Sequence, residues 1–492
     1  MADVIGLDIG TTSTIAIRMD ADGTIHASAS RPVTLSSPRP GWAEEDPAQW
    51  WANAREVLAE VMRGADPVDV KGICVTGMLP AVVLLDEGGA VLRPSIQQSD
   101  GRVAVEVEEL RAEVDEAAFL HRTGNGINQQ LVAAKLRWIA KHEPDVFARI
   151  DKVCGSYDYI AMRLTGGLRV EQNWALEAGF TDLSRRTIDP DLVALAGLPA
   201  GALPEIAVSH EVIGHVTPQA AAETGLPEGL PVMGGAADHI ASALAAGIAQ
   251  AGDVLLKFGG AGDVVVATDT ARPDARLYMD YHLVPGLYAP NGCMAASGAA
   301  LNWLAALLDG HDGPHPRLDA LAATVPAGAD GVLCLPYFLG EKTPIHDPLA
   351  RGTFTGLSLS HGKAHLWRAL LEAVAYGFRH HLEVLTEIGH PPQRVLVTDG
   401  GAKSRVWMQI VADVIGLPVT LLKADNGSSG GAAFVAAIGA GVVTDWAQVS
   451  SLSVAGNTLT PDPDNRAVYD AGYAKFRSLY KALSPVWRMP DR

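Results

Sequence analysis

The chain has 492 residues, 48% of them apolar, with 38 Lys and Arg against 56 Asp and Glu. A formal charge of −18 repels nucleic acid and anionic membrane surfaces, so neither is expected as a partner. At ~150 residues per domain the length gives roughly three units or two larger ones, and no stretch reaches the ~18 uninterrupted apolar residues of a membrane span. The sequence starts on a strand without a basic and apolar leader, and Cys74, Cys154, Cys293 and Cys334 lie far apart as reduced thiols would, so a cytoplasmic location is expected.

The first stretch, Val4 to Arg18, is an apolar β-branched run, a Gly10-Thr11-Thr12-Ser13 turn and a second apolar run, which predicts a hairpin. Asp8 sits in the first run between Leu7 and Ile9, where a carboxylate is costly without a partner, and the turn of small hydroxyl residues exposes N–H groups that suit an anion. An ordinary hairpin with an exposed Asp is the competing reading. Asp46-Pro47 caps a helix with Trp50, Ala54, Val57, Leu58 and Val61 at helical spacing. Strands are predicted at 70–76 and 81–85, joined by Thr76-Gly77-Met78-Leu79-Pro80, and helices at 103–114 and 131–142. Pro231 to His239 runs from a strand through Gly234-Gly235 to Asp238 and His239 at the start of an Ala-rich helix, where Asp238 also suits an N-cap.

At 253–266 the strand, glycine turn, strand pattern returns, with Gly259 lying 249 residues beyond Gly10, and this predicts two related halves. Further on come Leu333 to Pro344, a strand leading into a charged loop with Gly340-Glu341-Lys342, a long helix at about 363–388, and a strand at 395–398 that ends on Asp399-Gly400-Gly401. Glu341 and Lys342 read as an exposed pair, and His380-His381 as a solvated helix face. A small-residue helix opens at 426–433 and would admit a backbone or a flat ligand, and an amphipathic helix with Tyr469, Tyr473 and Phe476 closes the chain.

No run matches a Walker loop or a dinucleotide fingerprint. Two hairpin tips and two carboxylates are what phosphoryl transfer requires, because that reaction depends on positioning, charge neutralisation and a base for the attacking hydroxyl. Asp8 suits Mg²⁺ held through water, since the ion dehydrates reluctantly, and Asp238 suits the base. Backbone groups at Gly10 to Thr12 and at Gly259 to Gly262 suit phosphates, and Gly400 and Gly401 would admit an adenosine.

These residues resemble the FGGY carbohydrate kinases of the actin and sugar-kinase superfamily, especially the xylulokinase-like branch. The likeness covers essentially the whole chain: Asp8-Ile9-Gly10-Thr11-Thr12, Lys135-Leu136-Arg137-Trp138, Gly340-Glu341-Lys342-Thr343-Pro344, and Gly400-Gly401 with Ser404, Trp407 and Gln409. The resemblance implies an α/β fold of two ribonuclease H-like domains with a cleft between them, closing over ATP and sugar. The implied division is 1–245, with sugar, first phosphate hairpin and base, and 246–492, with the nucleotide; the last helix is a candidate to pack back on the first domain. The implied activity is ATP-dependent phosphorylation of a terminal ketose hydroxyl with Asp238 as base and Mg²⁺ at Asp8 and Asp238. Phosphates and adenosine would lie on Gly10, Thr11, Thr12, Gly259, Gly260, Gly262, Gly400, Gly401, Ser404 and Gly430. A homodimer is a further expectation.

Two departures bear on substrate and nucleotide. Xylulokinases of this branch usually read Gly-Gln-Met-His-Gly where this chain has Gly77-Met78-Leu79-Pro80-Ala81, so a sugar-contacting His is replaced by Pro80, which donates no hydrogen bond. The usual Trp-Asn-Asp becomes Gln98-Ser99-Asp100. Met78, Leu79, Pro80, Asp100 and His239 are therefore the candidate substrate residues, and a shifted preference is expected, for a deoxy-ketose, another pentulose or a short polyol. The second tip reads Gly259-Gly260-Ala261-Gly262 in place of Gly-Thr-Ser-Gly and lacks two hydroxyls. The alternatives are a kinase of the same fold for another polyol, such as glycerol or erythritol, or a signalling ketose, and a non-catalytic actin-like ATP-binding protein.

Overall fold

The computed structural model describes residues 2–199, 201–310, 315–424 and 426–489. The chain divides into two compact units, the first comprising 1–249, 269–289 and 425–453 and the second 250–268, 290–424 and 454–492. Two segments from late in the sequence thus count with the first unit, and the C-terminal helix Arg466–Trp487 with the second.

The first unit is built on a mixed sheet. The predicted hairpin is present as Asp3–Ile9 and Ser13–Asp20, closed by a hydrogen bond from Gly10 N to Ser13 O, and Ile25–Pro32 extends it antiparallel. Asp3–Ile9 pairs in parallel on its other edge with Val70–Gly77, which pairs in parallel with Pro231–Met233 and Ala236–Ala237. All seven residues of the first strand are buried, as a central strand covered on both faces requires. One cover is the helix Pro47–Val61, whose predicted apolar positions are all buried and whose Asp46 side chain accepts from Ala48 N. Another is the small-residue helix Gly427–Gly439: a Cβ on Gly6 would stand 1.9 Å from Ser429 O, and one on Gly431 would stand 1.9 Å from Ala241 O. The close approach that its composition predicts is made to backbone, on the first strand and on the helix Asp238–Ala245.

The second unit repeats the strand order. Asp253–Phe258 and Gly262–Val266 form its hairpin, residues 291–294 add antiparallel beyond it, and Arg394–Thr398 and Val419–Ala424 add in parallel on the other side, with Val454–Leu459 antiparallel at the edge. Both units are therefore mixed α/β. The long helix Lys363–Glu387 is buried around most of its girth. His380 and His381, read from sequence as a solvated face, are 5% and 0% exposed. His381 bonds the Gly377 carbonyl and Thr343 Oγ1, and burial pushes its pKa down to about 4, so it is neutral. Glu341, read as exposed, is also buried and accepts from the backbone N–H groups of Ala295 and Lys342. Among the described residues no helix is long and apolar enough to cross a membrane.

Buried acids give the fold a pH dependence. In the first unit Asp158 accepts from Gly155 N and Glu171 N, while Glu171 accepts from Tyr157 and Ser209 hydroxyls and from Asn173 N. Burial pushes Asp158 up to about 7 and Glu171 up to about 8, and Glu341 in the second unit up to about 8. The folded chain thus holds protons that the unfolded chain, titrating at the ordinary 3.8 and 4.5, has released. Stability from these groups is full below their unfolded values and is lost as pH rises toward 8. Lys135, which burial pushes down to about 7, opposes this trend only above that pH. The thermal midpoint is expected to be higher at pH 6 than at pH 8, and Glu171→Gln to flatten the slope; a midpoint that rises with pH across this window contradicts the assignment.

Candidate active site

In the first unit the parallel strands run side by side and end together. Asp8 pairs in register with Thr76 and Thr76 with Ala236; Ile9 pairs with Gly77 and Gly77 with Ala237. Asp238 follows directly as the first residue of its helix, so the two sequence-predicted acids stand at the carboxyl ends of the two strands that flank Val70–Gly77, where ligands of open α/β sheets bind. Met78 continues the same edge, its N–H donating to Ile9 O.

Asp8 is 8% exposed, and its Oδ2 accepts from Ser428 Oγ at 2.5 Å. Ser428 belongs to the first turn of the helix Gly427–Gly439, so a residue 420 positions away completes the surroundings of Asp8. Gly10 and Thr11 at the tip are part-buried and Thr12 is exposed. The oxygens of Asp8, Thr11, Thr12 and Ser428 are hard donors of the kind Mg²⁺ prefers. Gly430 is buried inside that helix, where a Cβ would stand 2.2 Å from Asn426 Cβ.

Asp238 is the more open carboxylate, its side chain 35% exposed, and its Oδ1 accepts from His239 N at 2.6 Å. His239 turns its Nε2 to Asp280 Oδ2 at 2.9 Å and its Nδ1 to Asp238 Oδ1 at 3.5 Å. Glu177 lies beside them, and ligand-type atoms of Glu177, His239 and Asp280 are within 4.8 Å of one another. Burial opposes charge on His239, but the carboxylates of Asp238, Asp280 and Glu177 outweigh it and hold the imidazole well above its ordinary pKa. Burial, and then the charge of Asp280, push the Glu177 carboxyl well above the usual range.

The other predicted substrate residues are differently placed. Met78 and Leu79 are 1% and 6% exposed, and Pro80 is buried. The Pro80 carbonyl accepts from the Lys135 side chain, which also donates to Gln97 O at 2.8 Å, so one buried lysine ties together the two loops that carry the sequence-predicted substrate residues. Asp100 spends both carboxylate oxygens within the protein, on Ala43 N and on the backbone and guanidinium of Arg102. Burial opposes its charge, but those bonds win and hold its pKa below the ordinary value. Ser428, Glu177 and Asp280, which stand against the two predicted acids or against His239, carry no local motif in the sequence; Lys135 lies in the Lys135-Leu136-Arg137-Trp138 run, where the available signal was a lysine in an otherwise apolar helix face.

In the second unit the tip Gly259–Gly262 meets the start of the helix Gly298–Asp309: Gly298 N donates to Gly259 O, and Ser297 N and Ala299 N donate to Gly260 O. A Cβ on Gly298 would stand 2.7 Å from Gly259 O, and one on Gly262 would stand 2.7 Å from Met294 Cε, so these glycines allow the tip to close. Beside the tip lies a recess of about 470 Å³, walled by Phe258, Leu301, Trp367 and Trp407 and floored by Gly400 and Gly401. Ser404 caps the helix Arg405–Ile415 through Trp407 N, and donates to Asp319 Oδ2, whose other oxygen accepts from Trp367 Nε1. Asp399, just before the glycine pair, holds φ 77° and ψ −176°, a conformation that normally belongs to glycine. The recess is of small-ligand size, mostly apolar with a few polar groups at its rim.

Residues 4–245 match the N-terminal domain of the FGGY family of carbohydrate kinases, and residues 259–440 match the C-terminal domain of that family. The chain is similar to the xylulose kinase of Escherichia coli K12, at 31% identity over 98% of this chain and 99% of that protein. It is similar in structure to the xylulose kinase from Rhodospirillum rubrum, with a TM-score of 0.95 and 65% identity over 99% of this chain and 100% of the other. Plasmodium falciparum glycerol kinase with ADP shares the fold, with a TM-score of 0.88 at 19% identity, over 97% of this chain and 98% of the other.

Proposed function

The chain belongs to the FGGY family of carbohydrate kinases, and within that family we propose that it transfers the terminal phosphoryl group of ATP to a terminal hydroxyl of a ketose, as a xylulose kinase does. The observation that carries the reading is the shared end of the parallel strands, where Asp8 and Asp238 flank the strand Val70–Gly77 from either side, Asp238 lying two positions beyond the residue, Ala236, that is level with Asp8. Asp238, open and anchored by His239 N, takes the proton of the attacking hydroxyl. Asp8, steadied by Ser428, and Asp238 would hold Mg²⁺ through water, and that ion supplies charge neutralisation on the phosphates when bound. Gly10, Thr11 and Thr12 offer backbone N–H groups to phosphate, as do Gly259, Gly260 and Gly262 in the second unit. The recess over Gly400, Gly401 and Ser404 takes the adenosine.

Purified protein offered D-xylulose, D-ribulose, L-ribulose, erythritol and glycerol with Mg-ATP tests this directly. Phosphorylation of a ketopentose well ahead of the polyols is expected. Turnover of a polyol with no ketopentose activity overturns the assignment, and ATP binding with no acceptor-dependent turnover overturns the kinase reading of this chain.

A further inference from the structure

Asp280 is fully buried, and the residue on each side of it in the strand Tyr278–Tyr281 is clamped by an asparagine. Asn125 donates to Met279 O and accepts from Met279 N, both at 2.9 Å; Asn173 donates to Tyr281 O at 3.0 Å and accepts from Tyr281 N at 2.7 Å. Both asparagines are buried, at 4% and 0% exposed. Two side-chain amides thus hold the backbone on both sides of Asp280 and fix the place of the carboxylate between them. Glu177 stands one helical turn after Asn173 on the same helix, Gln172–Glu177, so the segment that clamps the strand also brings the second acid to the cluster.

The product of this construction is one imidazole with one edge committed. His239 Nε2 is bonded to Asp280 at 2.9 Å, which leaves the Nδ1 edge facing Asp238 at 3.5 Å. The groups that face His239 are Asp238 from its own helix, Asp280 from the strand and Glu177 from the helix Gln172–Glu177. The ring keeps 21% of its side-chain surface, whereas Asp280 keeps none, so His239, which directly follows Asp238, can touch a ligand and Asp280 cannot. Met78, Leu79 and Pro80 are packed away and Asp100 gives its oxygens to Arg102 and Ala43, so selectivity falls on the part-exposed edge that His239 shares with Asp238.

We propose that Asp280 and Glu177 are positioning residues for His239, and that the imidazole edge they fix reads the substrate hydroxyl next to the one that Asp238 deprotonates. The hydroxyl contact rests on the sugar-kinase reading above; the positioning of the ring by Asp280 and Glu177 does not.

Asp280→Asn, Glu177→Gln, His239→Asn and the Asp280→Asn/His239→Asn pair test it, with steady-state KM values for sugar and for ATP. Asp280→Asn is expected to raise the sugar KM roughly tenfold or more, the size of a lost charge-assisted hydrogen bond, with the ATP KM unchanged. It is expected to add nothing in the His239→Asn background. A sugar KM within twofold of native, a parallel change in the ATP KM, or effects that multiply in the double variant overturns the proposal. If Asp280→Asn does not fold, Glu177→Gln carries the same split of KM values, expected in the same direction. A second readout needs no substrate: the ring N–H resonance of His239, identified by its loss in His239→Asn, is expected to be displaced in Glu177→Gln and Asp280→Asn, and an unmoved resonance refutes the positioning. A native chain that phosphorylates no sugar removes the catalytic reading and leaves this resonance to decide the rest.

Discussion

Asp238→Asn is expected to lower kcat by about 10²–10⁴-fold, the range a positioned general base supplies, while ATP binding stays at its native strength. The hydroxyl oxygen that attacks phosphorus must lose its proton, and an amide oxygen does not take it. The substitution isolates that role because it preserves shape and one contact: the Asn carbonyl still accepts from His239 N, so the helix start at 238 keeps its anchor. The expected loss corresponds to about 3–5 kcal/mol of transition-state stabilisation. Calorimetric titration with ATP and steady-state kinetics with the preferred acceptor check both halves. Turnover within tenfold of native removes Asp238 from the base role, and a matching loss of ATP affinity assigns it to nucleotide binding instead.

The features that were legible in the sequence share one property, that their chemistry is local. A β-branched run ended by Gly10-Thr11-Thr12 gives a hairpin whatever follows it, and Asp8 and Asp238 announce themselves as acids at strand ends beside glycines. Asp46-Pro47 places a helix start for the same reason. Residues that act through distant segments gave no such signal. Asp280 sits in an aromatic strand whose flanking residues are held by Asn125 and Asn173, and Glu177 sits in a short helix with Asn173; no local pattern links either acid to His239. Ser428 reaches Asp8 across 420 positions of sequence.

The misread residues fail in the opposite direction. His380, His381 and Glu341 are polar by composition and look solvated, yet all three are buried; His381 and Glu341 find bonding partners inside the second unit, and burial then sets their protonation. Asp100 has the residue type of a ligand contact, and the structure shows both its carboxylate oxygens bonded to Ala43 N and Arg102. A motif therefore locates an acid, and only the surrounding donors decide whether that acid has an oxygen left for a ligand.

Gly6→Ala is the substitution expected to damage the fold most, at a cost of about 3 kcal/mol or more. Glycine in the middle of a buried strand is unfavourable by itself and calls for a reason. That reason is the helix Gly427–Gly439, whose backbone crosses the strand so closely that a methyl group at residue 6 would meet Ser429 O at 1.9 Å and Ala433 N at 2.8 Å. Neither atom is the end of a flexible side chain, so the strand or the helix must move as a whole. Moving the helix also withdraws Ser428 from Asp8, and activity is expected to fall with stability. Urea unfolding followed by circular dichroism measures the first effect and phosphorylation assays the second. Gly167→Ala, at an exposed glycine whose added Cβ meets nothing within 4 Å, is the matched control and is expected to stay within about 0.5 kcal/mol of native. If Gly6→Ala unfolds at the native midpoint, the close approach of helix and strand is not what makes glycine necessary there, and the tie between the fold of the first unit and the placement of Asp8 fails with it.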